Sequence, residues 1–180
     1  MTATEQLLAR AEHLLARLEQ LLPPARDGAV EDALAWRWRK RQQQGWLDPI
    51  RRFNAIRLED LQHIDEPRQA LEQNTRQFLA GLPANNALLW GPRGTGKSSL
   101  VKALLNAYAA QGLRLIEVER QDLVDLPDIV DLIADRPGRY IIFCDDLSFD
   151  EHDQTYRALK TILDGSVVST PDNILIYATS

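Results

Sequence analysis

Short apolar runs and helical spacings alternate along the second half of the chain. Four runs of bulky apolar residues are typical of strands that are buried on both faces of a sheet. They are ALLW (87–90), LRLIEV (113–118), RYIIFC (139–144) and NILIYAT (173–179). Helical patterns separate them at residues 98–111, 122–134 and 153–163. This alternation predicts an α/β fold, a three-layer sandwich whose parallel sheet carries helices on both faces.

The first part of the chain predicts helices. An apolar stripe with spacings of three and four residues indicates an N-terminal helix that ends at Pro23-Pro24. The stripe is Leu7, Ala11, Leu14, Leu18 and Leu21. Its apolar face either packs on a neighbouring helix or mediates self-association. A second helix is predicted from about residue 28 to 44, with Asp27 as its N-cap and Gly45 as its stop.

A third helix is predicted over residues 65–78, because Pro67 suits a first turn and Gly81 suits a C-terminal cap. In the later helix over 122–134, Pro127 either starts the helix or breaks it. The domain organisation that follows has three parts. They are a helical N-terminal segment over 1–45, a linker over 46–57 and the α/β core over 58–180.

Charge is concentrated in one short segment. Residues 36–57 hold seven basic side chains against Asp48, although the whole chain has a net charge of −5. The segment also contains Trp36, Trp38 and Trp46. On a helix, residues two apart point away from each other, so Trp36 and Trp38 are not expected to share a face. The segment either pairs with the acidic remainder of the chain or forms a surface for a nucleic acid or protein partner.

The composition fits a globular protein, with 44% hydrophobic residues among 180. The one cysteine, Cys144, has no intrachain disulfide partner. No apolar run approaches membrane-spanning length, and charges interrupt the N-terminal leucines, so we expect a cytoplasmic protein with no membrane partner. His13, His63 and His152 show no metal-ligand spacing with one another or with Cys144.

A phosphate-binding pattern stands between the first predicted strand and its helix. GPRGTGKS (91–98) matches G-x-x-x-x-G-K-[ST] at every fixed position. Glycines let the backbone curl around an anion, and the helix N-terminus directs N–H groups at it. We expect Lys97 to reach the β- and γ-phosphates of a nucleotide and Ser98 to bind Mg²⁺. The residues expected to contact the nucleotide are Gly91, Pro92, Arg93, Gly94, Thr95, Gly96, Lys97, Ser98 and Ser99.

Two carboxylates follow an apolar strand, at Asp145 and Asp146. Asp145 stands where P-loop nucleotidases place the acid that holds Mg²⁺ through a bound water. Asp146 stands where many such enzymes have a glutamate that polarises the attacking water, and it is one methylene shorter. Thr179 and Ser180, at the tip of the last strand, are candidates for orienting that water, although such residues also form turns.

These motifs together resemble the AAA+ ATPases. GPRGTGKS resembles the Walker A motif, IIFCDD the Walker B motif and ILIYATS the sensor 1 strand. LEDLQHID (58–65) is similar to the box that packs on adenine, which implies base contacts for Leu61 and Ile64. A glycine commonly occupies the position of His63 in that box. More specifically, residues 46–180 resemble a bacterial AAA+ family of predicted ATPases of unknown function, in which Asp-Asp in Walker B is usual.

The resemblance implies ATP and Mg²⁺ as cofactors and assembly into a homo-oligomer. The chain stops just after the sensor strand, so we expect a fragment that lacks a fifth strand, an arginine finger and a helical lid. The family's strand order places NILIYAT between ALLW and RYIIFC. With no fifth strand, ALLW is then expected to be an open edge of the sheet.

Two functional hypotheses remain at this level. The first is a Mg²⁺-dependent AAA+ ATPase that couples ATP binding and hydrolysis to remodelling of a macromolecular partner. The second is a nucleotide-gated binding module that hydrolyses little and acts on nucleic acid or protein. A small-molecule kinase is disfavoured, because no substrate-binding insertion lies between the motifs.

Overall fold

The computed structural model describes residues 8, 10, 12, 13, 33–41, 44–53, 55–147 and 171–180. Leu8, Arg10, Glu12 and His13 are helical. The rest of the predicted N-terminal helix, the start of the second predicted helix and all of the predicted 153–163 helix lie outside the described residues. In the described part of the chain, no helix combines the length and the apolar character needed to cross a bilayer.

Among the described residues, six strands form one sheet in the spatial order β2-β1-β4-β5-β6-β3. Every neighbouring pair is parallel except β1 and β2. The strands are β1 (Ala35–Arg41), β2 (Gln44–Pro49), β3 (Ala87–Leu89), β4 (Leu113–Val118), β5 (Arg139–Cys144) and β6 (Ile174–Thr179). The predicted positions of β3 to β6 are confirmed. So is the neighbour order, since β6 lies between β3 and β5 and β3 lies at the edge of the described sheet.

Within the described ranges, three α-helices lie between strands of the sheet. They are α1 (Asp65–Leu79), α2 (Lys97–Tyr108) and α3 (Leu126–Ile133), with 3-10 turns at Leu58–Asp60, Ala109–Gln111 and Arg120–Asp125. Gly81 and Gly112 adopt positive φ just beyond α1 and α2, where a residue with a Cβ is strained. Pro127 lies in the first turn of α3, so of the two predicted alternatives it starts the helix.

Side chains alternate between the two faces of the sheet, as the period of a strand requires. Ile142 and Cys144 of β5 join the core beneath α3, while Ile141 and Phe143 join the core beneath α1 and α2. The other central strands follow the same alternation. The sheet is therefore covered on both faces, which confirms the predicted α/β class with a mostly parallel sheet.

The helix predicted from about residue 28 to 44 is wrong over its described part. Residues 35–41 and 44–49 instead form the two antiparallel strands of a hairpin, and β1 continues the sheet by pairing in parallel with β4. The prediction followed the helical spacing of Leu34 and Trp38 and gave too little weight to the alternation of tryptophan and arginine over residues 36–39, which has the period of a strand. Residues 46–49, predicted as part of a linker, therefore belong to the sheet.

The hairpin buries two tryptophans on one face. Trp36 and Trp38 are 2% and 4% exposed, because residues two apart share a face in a strand. The indole Nε1 of Trp38 donates to Asp125 Oδ2 at 3.2 Å, and Lys40 Nζ donates to the other oxygen, Oδ1, at 2.5 Å. Asp125 is itself 5% exposed, so these two donors satisfy a buried carboxylate. The hairpin is thereby fixed to the turn that precedes α3.

Two basic residues on the opposite face of the hairpin form ion pairs with glutamates. Arg37 forms an ion pair with Glu117 at 2.8 Å, and Arg39 pairs with Glu119 at 3.4 Å. The basic segment thus pairs with acidic residues of the neighbouring strand region, as one of the two interpretations expected. Trp36 and Trp38 are buried, so neither is available to stack on the bases of a single-stranded nucleic acid.

Residues 50–64 run from the hairpin to the start of α1. Ile50 N donates to Ala35 O, and Asn106 of α2 donates to Ile56 O. Five apolar side chains of this segment pack on the core beneath α1 and α2. They are Ile50, Phe53, Leu58, Leu61 and Ile64. These described residues of the segment are therefore part of the packed structure, and they lead into α1, which β3 and the phosphate-binding loop follow.

We expect Gly45→Ala to destabilise the fold. A Cβ at this position would lie 1.9 Å from Cζ2 of Trp38, which packs over the glycine. The hydrogen bond to Asp125 holds Trp38 in place, so removing the clash requires moving a buried indole. We expect this to lower the free energy of unfolding by about 1–3 kcal/mol. Urea unfolding measures it, with Gln44→Ala in the same strand as the control. Equal stability of the two variants would contradict the packing described.

Candidate functional site

The loop between β3 and α2 is the centre of the candidate site. Gly94 and Gly96 adopt φ of 81° and 86°, a region that residues with a Cβ rarely occupy. A Cβ built on Gly94 would meet no atom within 4 Å, whereas one on Gly96 would lie 3.7 Å from Ile64 Cδ1. The loop is therefore shaped by its glycines and is open on its outer side. The first residues of α2 direct their N–H groups into it.

Lys97 folds across the mouth of this loop. Its Nζ donates to the carbonyl oxygens of Gly91 at 2.7 Å and Pro92 at 2.8 Å. Thr95 Oγ1 also donates to Pro92 O, at 2.9 Å. The predicted phosphate-binding cation is thus held at the concave side of the loop by carbonyl groups, which are weaker partners for an ammonium than phosphate oxygens.

The two acidic residues leave the sheet at the end of β5. Cys144 pairs with Ala178 of β6, and the next ladder contact joins Leu147 N to Thr179 O at 2.7 Å. Between these two contacts the chain after β5 has two residues, Asp145 and Asp146, whereas β6 has only Thr179. The extra residue makes Asp145 and Asp146 bulge from the sheet. Asp146 has a φ of 55°, in the left-handed region. The bulge directs both carboxylates toward the phosphate-binding loop.

A hydrogen-bond network joins the loop to this bulge. Ser98 Oγ donates to Asp145 Oδ1 at 2.6 Å, and Thr179 Oγ1 donates to the same oxygen at 2.6 Å. Asp146 N in turn donates to Thr179 Oγ1 at 2.9 Å. Thr179, 2% exposed, thus uses its hydroxyl to hold the Asp145-Asp146 bulge. Ser180 joins β3 through its backbone, since its N–H donates to Leu89 O at 2.9 Å.

The oxygen atoms of Ser98 and Asp145 fit a Mg²⁺ site. Both are oxygen donors of the kind that Mg²⁺ prefers, and the 2.6 Å contact between Ser98 Oγ and Asp145 Oδ1 brings them together, so Ser98 would bind the ion directly and Asp145 through a water. The part of the chain that the structure describes contains no group of three His, Cys, Asp or Glu residues that could hold a metal alone. Mg²⁺ at this site would therefore depend on waters and substrate phosphates for its other ligands, which is its usual behaviour in nucleotide sites.

An ion pair that the sequence patterns did not indicate connects the loop to the second aspartate. Arg93 Nη2 donates to Asp146 Oδ2 at 2.5 Å. Both side chains are exposed, at 87% for Arg93 and 63% for Asp146. The residues are far apart in sequence, so only the parallel pairing of β3 with β6 and β6 with β5 brings them together.

A cavity of about 370 Å³ lies beside the loop, between α1 and β3. Lys97, Thr95 and Trp90 line its loop side, and Ile64 and Pro67 line the side toward α1. Ile64, one of the two residues predicted to contact the base, therefore lines a cavity beside the loop. Leu61, the other predicted contact, packs against the core beneath α2 and is not among the cavity-lining residues. Trp90, 83% exposed, is a wall of the cavity that no sequence motif singled out.

His63 adopts a φ of 61°, which explains why glycine suits its position. We expect His63→Gly to raise the free energy of unfolding by roughly 0.5–1 kcal/mol, because glycine enters the left-handed region without strain. Thermal and urea unfolding measure the change. The matched control is Gln62→Gly at the exposed neighbour without positive φ, which is expected to lower stability. The same sign of change in both variants would count against this reading of the turn.

Cys144 is fully buried beside the acidic bulge, and burial raises the pKa of its thiol to about 12. An unfolded chain ionises this thiol near its ordinary pKa of 9.0, whereas the folded chain does not. Between pH 9 and 10 the free energy of unfolding should therefore fall with rising pH, approaching about 1.4 kcal/mol per pH unit. Urea unfolding across this range tests it. Cys144→Ala should remove this part of the slope, and an unchanged slope would contradict the assignment.

Comparison with known proteins identifies a family match. Residues 31–180 match the family described as "Protein of unknown function (DUF815)". The matched region includes the hairpin, the phosphate-binding loop and the acidic bulge. The resemblance to AAA+ P-loop ATPases of unknown function, which the motifs indicated, is confirmed.

Several characterised proteins are similar over part of the chain. The replication factor C large subunit of Ignicoccus hospitalis is 34% identical over 82 residues, which are 44% of this chain and 17% of that protein. The Sulfolobus acidocaldarius subunit is 36% identical over 92 residues, which are 49% and 20% of the two chains. AMPPCP-bound DnaA from Aquifex aeolicus matches in structure with a TM-score of 0.48 and 20% identity, covering 69% of this chain and 42% of that chain. This chain spans a fifth or less of the length of these curated relatives.

Proposed function

From the premise that this chain belongs to the DUF815 family, we propose that it is an AAA+ ATP-binding protein. We infer a Mg²⁺-dependent ATPase that couples binding and hydrolysis of ATP to remodelling of a macromolecular partner. One observation carries the proposal. Ser98 at the end of the phosphate-binding loop touches Asp145 at the tip of a different strand, through a 2.6 Å hydrogen bond. That contact supports the proposal, because these are the two residue types that would hold Mg²⁺ for nucleotide hydrolysis.

The residues divide into binding and reacting groups. The loop from Gly91 to Ser99 would surround the phosphates with N–H groups, and Lys97 would exchange its two carbonyl partners for β- and γ-phosphate oxygens. Ser98 and Asp145 would hold Mg²⁺, which neutralises phosphate charge when bound. Ile64 would contact the base from the cavity wall.

Asp146 would accept the proton of the attacking water, and Thr179 would act as a positioning residue. The Thr179 hydroxyl already bonds Asp145 Oδ1 and Asp146 N, so it fixes how the two carboxylates face the loop. To orient water directly, as the sequence patterns suggested, it would have to exchange one of these partners. In the bulged conformation the short side chain of Asp146 starts from a backbone that already turns toward the loop.

The second candidate is a nucleotide-gated binding module with little hydrolysis. The observation that favours it is the ion pair between Arg93 and Asp146, which engages Oδ2, one of the two carboxylate oxygens that a water-activating base would use. Both candidates share the same binding chemistry and differ in turnover. The partner, which would be protein or nucleic acid, and assembly into a homo-oligomer belong to the proposal.

Phosphate release distinguishes the two candidates. ATP turnover by this chain is measured with Mg²⁺ and with EDTA, in the absence and presence of DNA. A remodelling ATPase gives Mg²⁺-dependent release that depends on Asp146, tested with Asp146→Asn. A gated module binds ATP with release indistinguishable from Asp146→Asn. Absence of ATP binding would overturn both.

A further inference from the structure

The Arg93–Asp146 ion pair joins the third residue of the phosphate-binding loop to the candidate base. The guanidinium approaches Asp146 Oδ2 at 2.5 Å, and the Asp146 backbone is held separately by Thr179. Thr179 continues to Asp145, and Asp145 to Ser98 at the far end of the same loop. The chain of contacts therefore closes a ring around the mouth of the loop.

The pair is accessible and easily exchanged. Arg93 and Asp146 are both largely exposed, and exposed ion pairs contribute little to stability because water competes for both partners. A guanidinium binds phosphate oxygens in the same planar, two-pronged geometry as carboxylate oxygens. A terminal phosphate carries more negative charge than a single carboxylate, so it is the stronger partner for Arg93.

We propose that Arg93 is a specificity residue for the γ-phosphate, which competes with Asp146 for its guanidinium. With a nucleoside diphosphate, Arg93 stays on Asp146, as it does in the structure described here. With a triphosphate, Arg93 transfers to the γ-phosphate and releases the Asp146 carboxylate toward the attacking water. The inference rests on the proposed function, because it requires a nucleotide in this loop. It adds a discrimination between triphosphate and diphosphate that the loop motif alone does not contain.

If Asp146 and the γ-phosphate compete for Arg93, substituting Arg93 and substituting Asp146 should have opposite effects on the affinity for a triphosphate. Arg93→Gln should weaken binding of a non-hydrolysable ATP analogue by about five-fold, with less than about two-fold change for ADP. Asp146→Asn should tighten binding of the analogue by about two- to five-fold, because Arg93 no longer has a competing partner. ADP affinity should stay unchanged in Asp146→Asn. In the double variant the gain from Asp146→Asn should disappear.

Calorimetry on the parent chain, the two single variants and the double variant tests this cycle. The control is Arg51→Gln, an exposed arginine next to Ile50, which bonds the amino end of β1 at the opposite edge of the sheet. It should leave both affinities unchanged. Discrimination between the analogue and ADP should also decrease as salt is added, because the competing groups are exposed.

Two results would overturn the inference while leaving the proposed function intact. The first is an equal gain from Asp146→Asn with and without Arg93, which indicates simple charge repulsion of the nucleotide. The second is an equal loss of ADP and analogue affinity in Arg93→Gln, which indicates general attraction of phosphates. Failure of the parent chain to bind either nucleotide would overturn the proposed function together with the inference.

Discussion

Lys97→Ala should remove ATP binding, with a loss of affinity of about a hundred-fold or more. The ammonium lies at the concave side of the loop on the carbonyl oxygens of Gly91 and Pro92, where phosphate oxygens would replace them. Hydrogen bonds between charged groups are the strongest available to the site, and this variant deletes two of them. Calorimetric titration with Mg²⁺ and ATP measures the loss.

The structure offers a matched control on the same helix. Lys102 also belongs to α2, but its Nζ lies 3.9 Å from Glu117 on the body of the domain. Lys102→Ala removes the same charge and should leave ATP affinity within about two-fold. Thermal unfolding of both variants verifies that each is folded. Unchanged affinity in folded Lys97→Ala would mean that the loop is not the nucleotide site.

Asp145→Asn should weaken ATP binding by about ten- to a hundred-fold in the presence of Mg²⁺ and have little effect in EDTA. The reason is that Asp145 Oδ1 is the charged member of the proposed ligand pair with Ser98. The amide oxygen can still accept the hydrogen bonds of Ser98 and Thr179, so the local structure should persist.

Asp146→Asn provides the contrast one residue away. It should retain ATP binding in Mg²⁺ and remove whatever hydrolysis the chain supports, because Asp146 does not contact Ser98 and is proposed as the base. Fluorescent nucleotide titration with and without Mg²⁺, followed by phosphate release, separates the two roles. Parent-like hydrolysis in Asp146→Asn, or equal binding loss in both variants with and without Mg²⁺, would contradict this division.

The central sheet was predictable because its strands are buried on both faces. Runs such as Tyr140–Cys144 have no polar position to confuse their assignment, and the intervening glycines and prolines mark their ends. The loop was predictable for a related reason. Its glycines and Lys97 are required by local backbone geometry and phosphate chemistry, and both are visible in a short stretch of sequence.

The hairpin was not predictable from local pattern, because its stability comes from partners distant in sequence. Trp38 and Lys40 are ordered by Asp125, and Arg37 is ordered by Glu117. A helix would have separated the two tryptophans. Their alternation with Arg37 and Arg39 favours a strand over only four residues, and the acidic partners stabilise the strand that places them together. Tertiary contacts therefore decided the structure of a segment with ambiguous periodicity.

The bulge at Asp146 explains why an aspartate, and not a glutamate, suits this position. Aspartate tolerates the left-handed region better than most residues with a longer side chain, because its short carboxylate can bond to nearby backbone. An aspartate at φ of 55° therefore fits this backbone, where a glutamate would be strained. Asp146 is one methylene shorter than the glutamate that many such enzymes have at this position. Residue spacing does not specify φ, so the sequence alone could not indicate whether the backbone compensates for the shorter side chain.

The position of β3 at the edge of the described sheet has a consequence for the order in which a newly made chain can fold. Ala87 of β3 pairs with Tyr177 of β6, and the described residues give β3 no other strand neighbour. During synthesis β1, β2, β4 and β5 can pair before β6 has been made, whereas β3 must wait for β6, the strand that it pairs with. The phosphate-binding loop follows β3 directly, so it stays without its framework until β6 emerges. The nascent protein therefore acquires its candidate nucleotide site in the same step that joins β3 to the sheet.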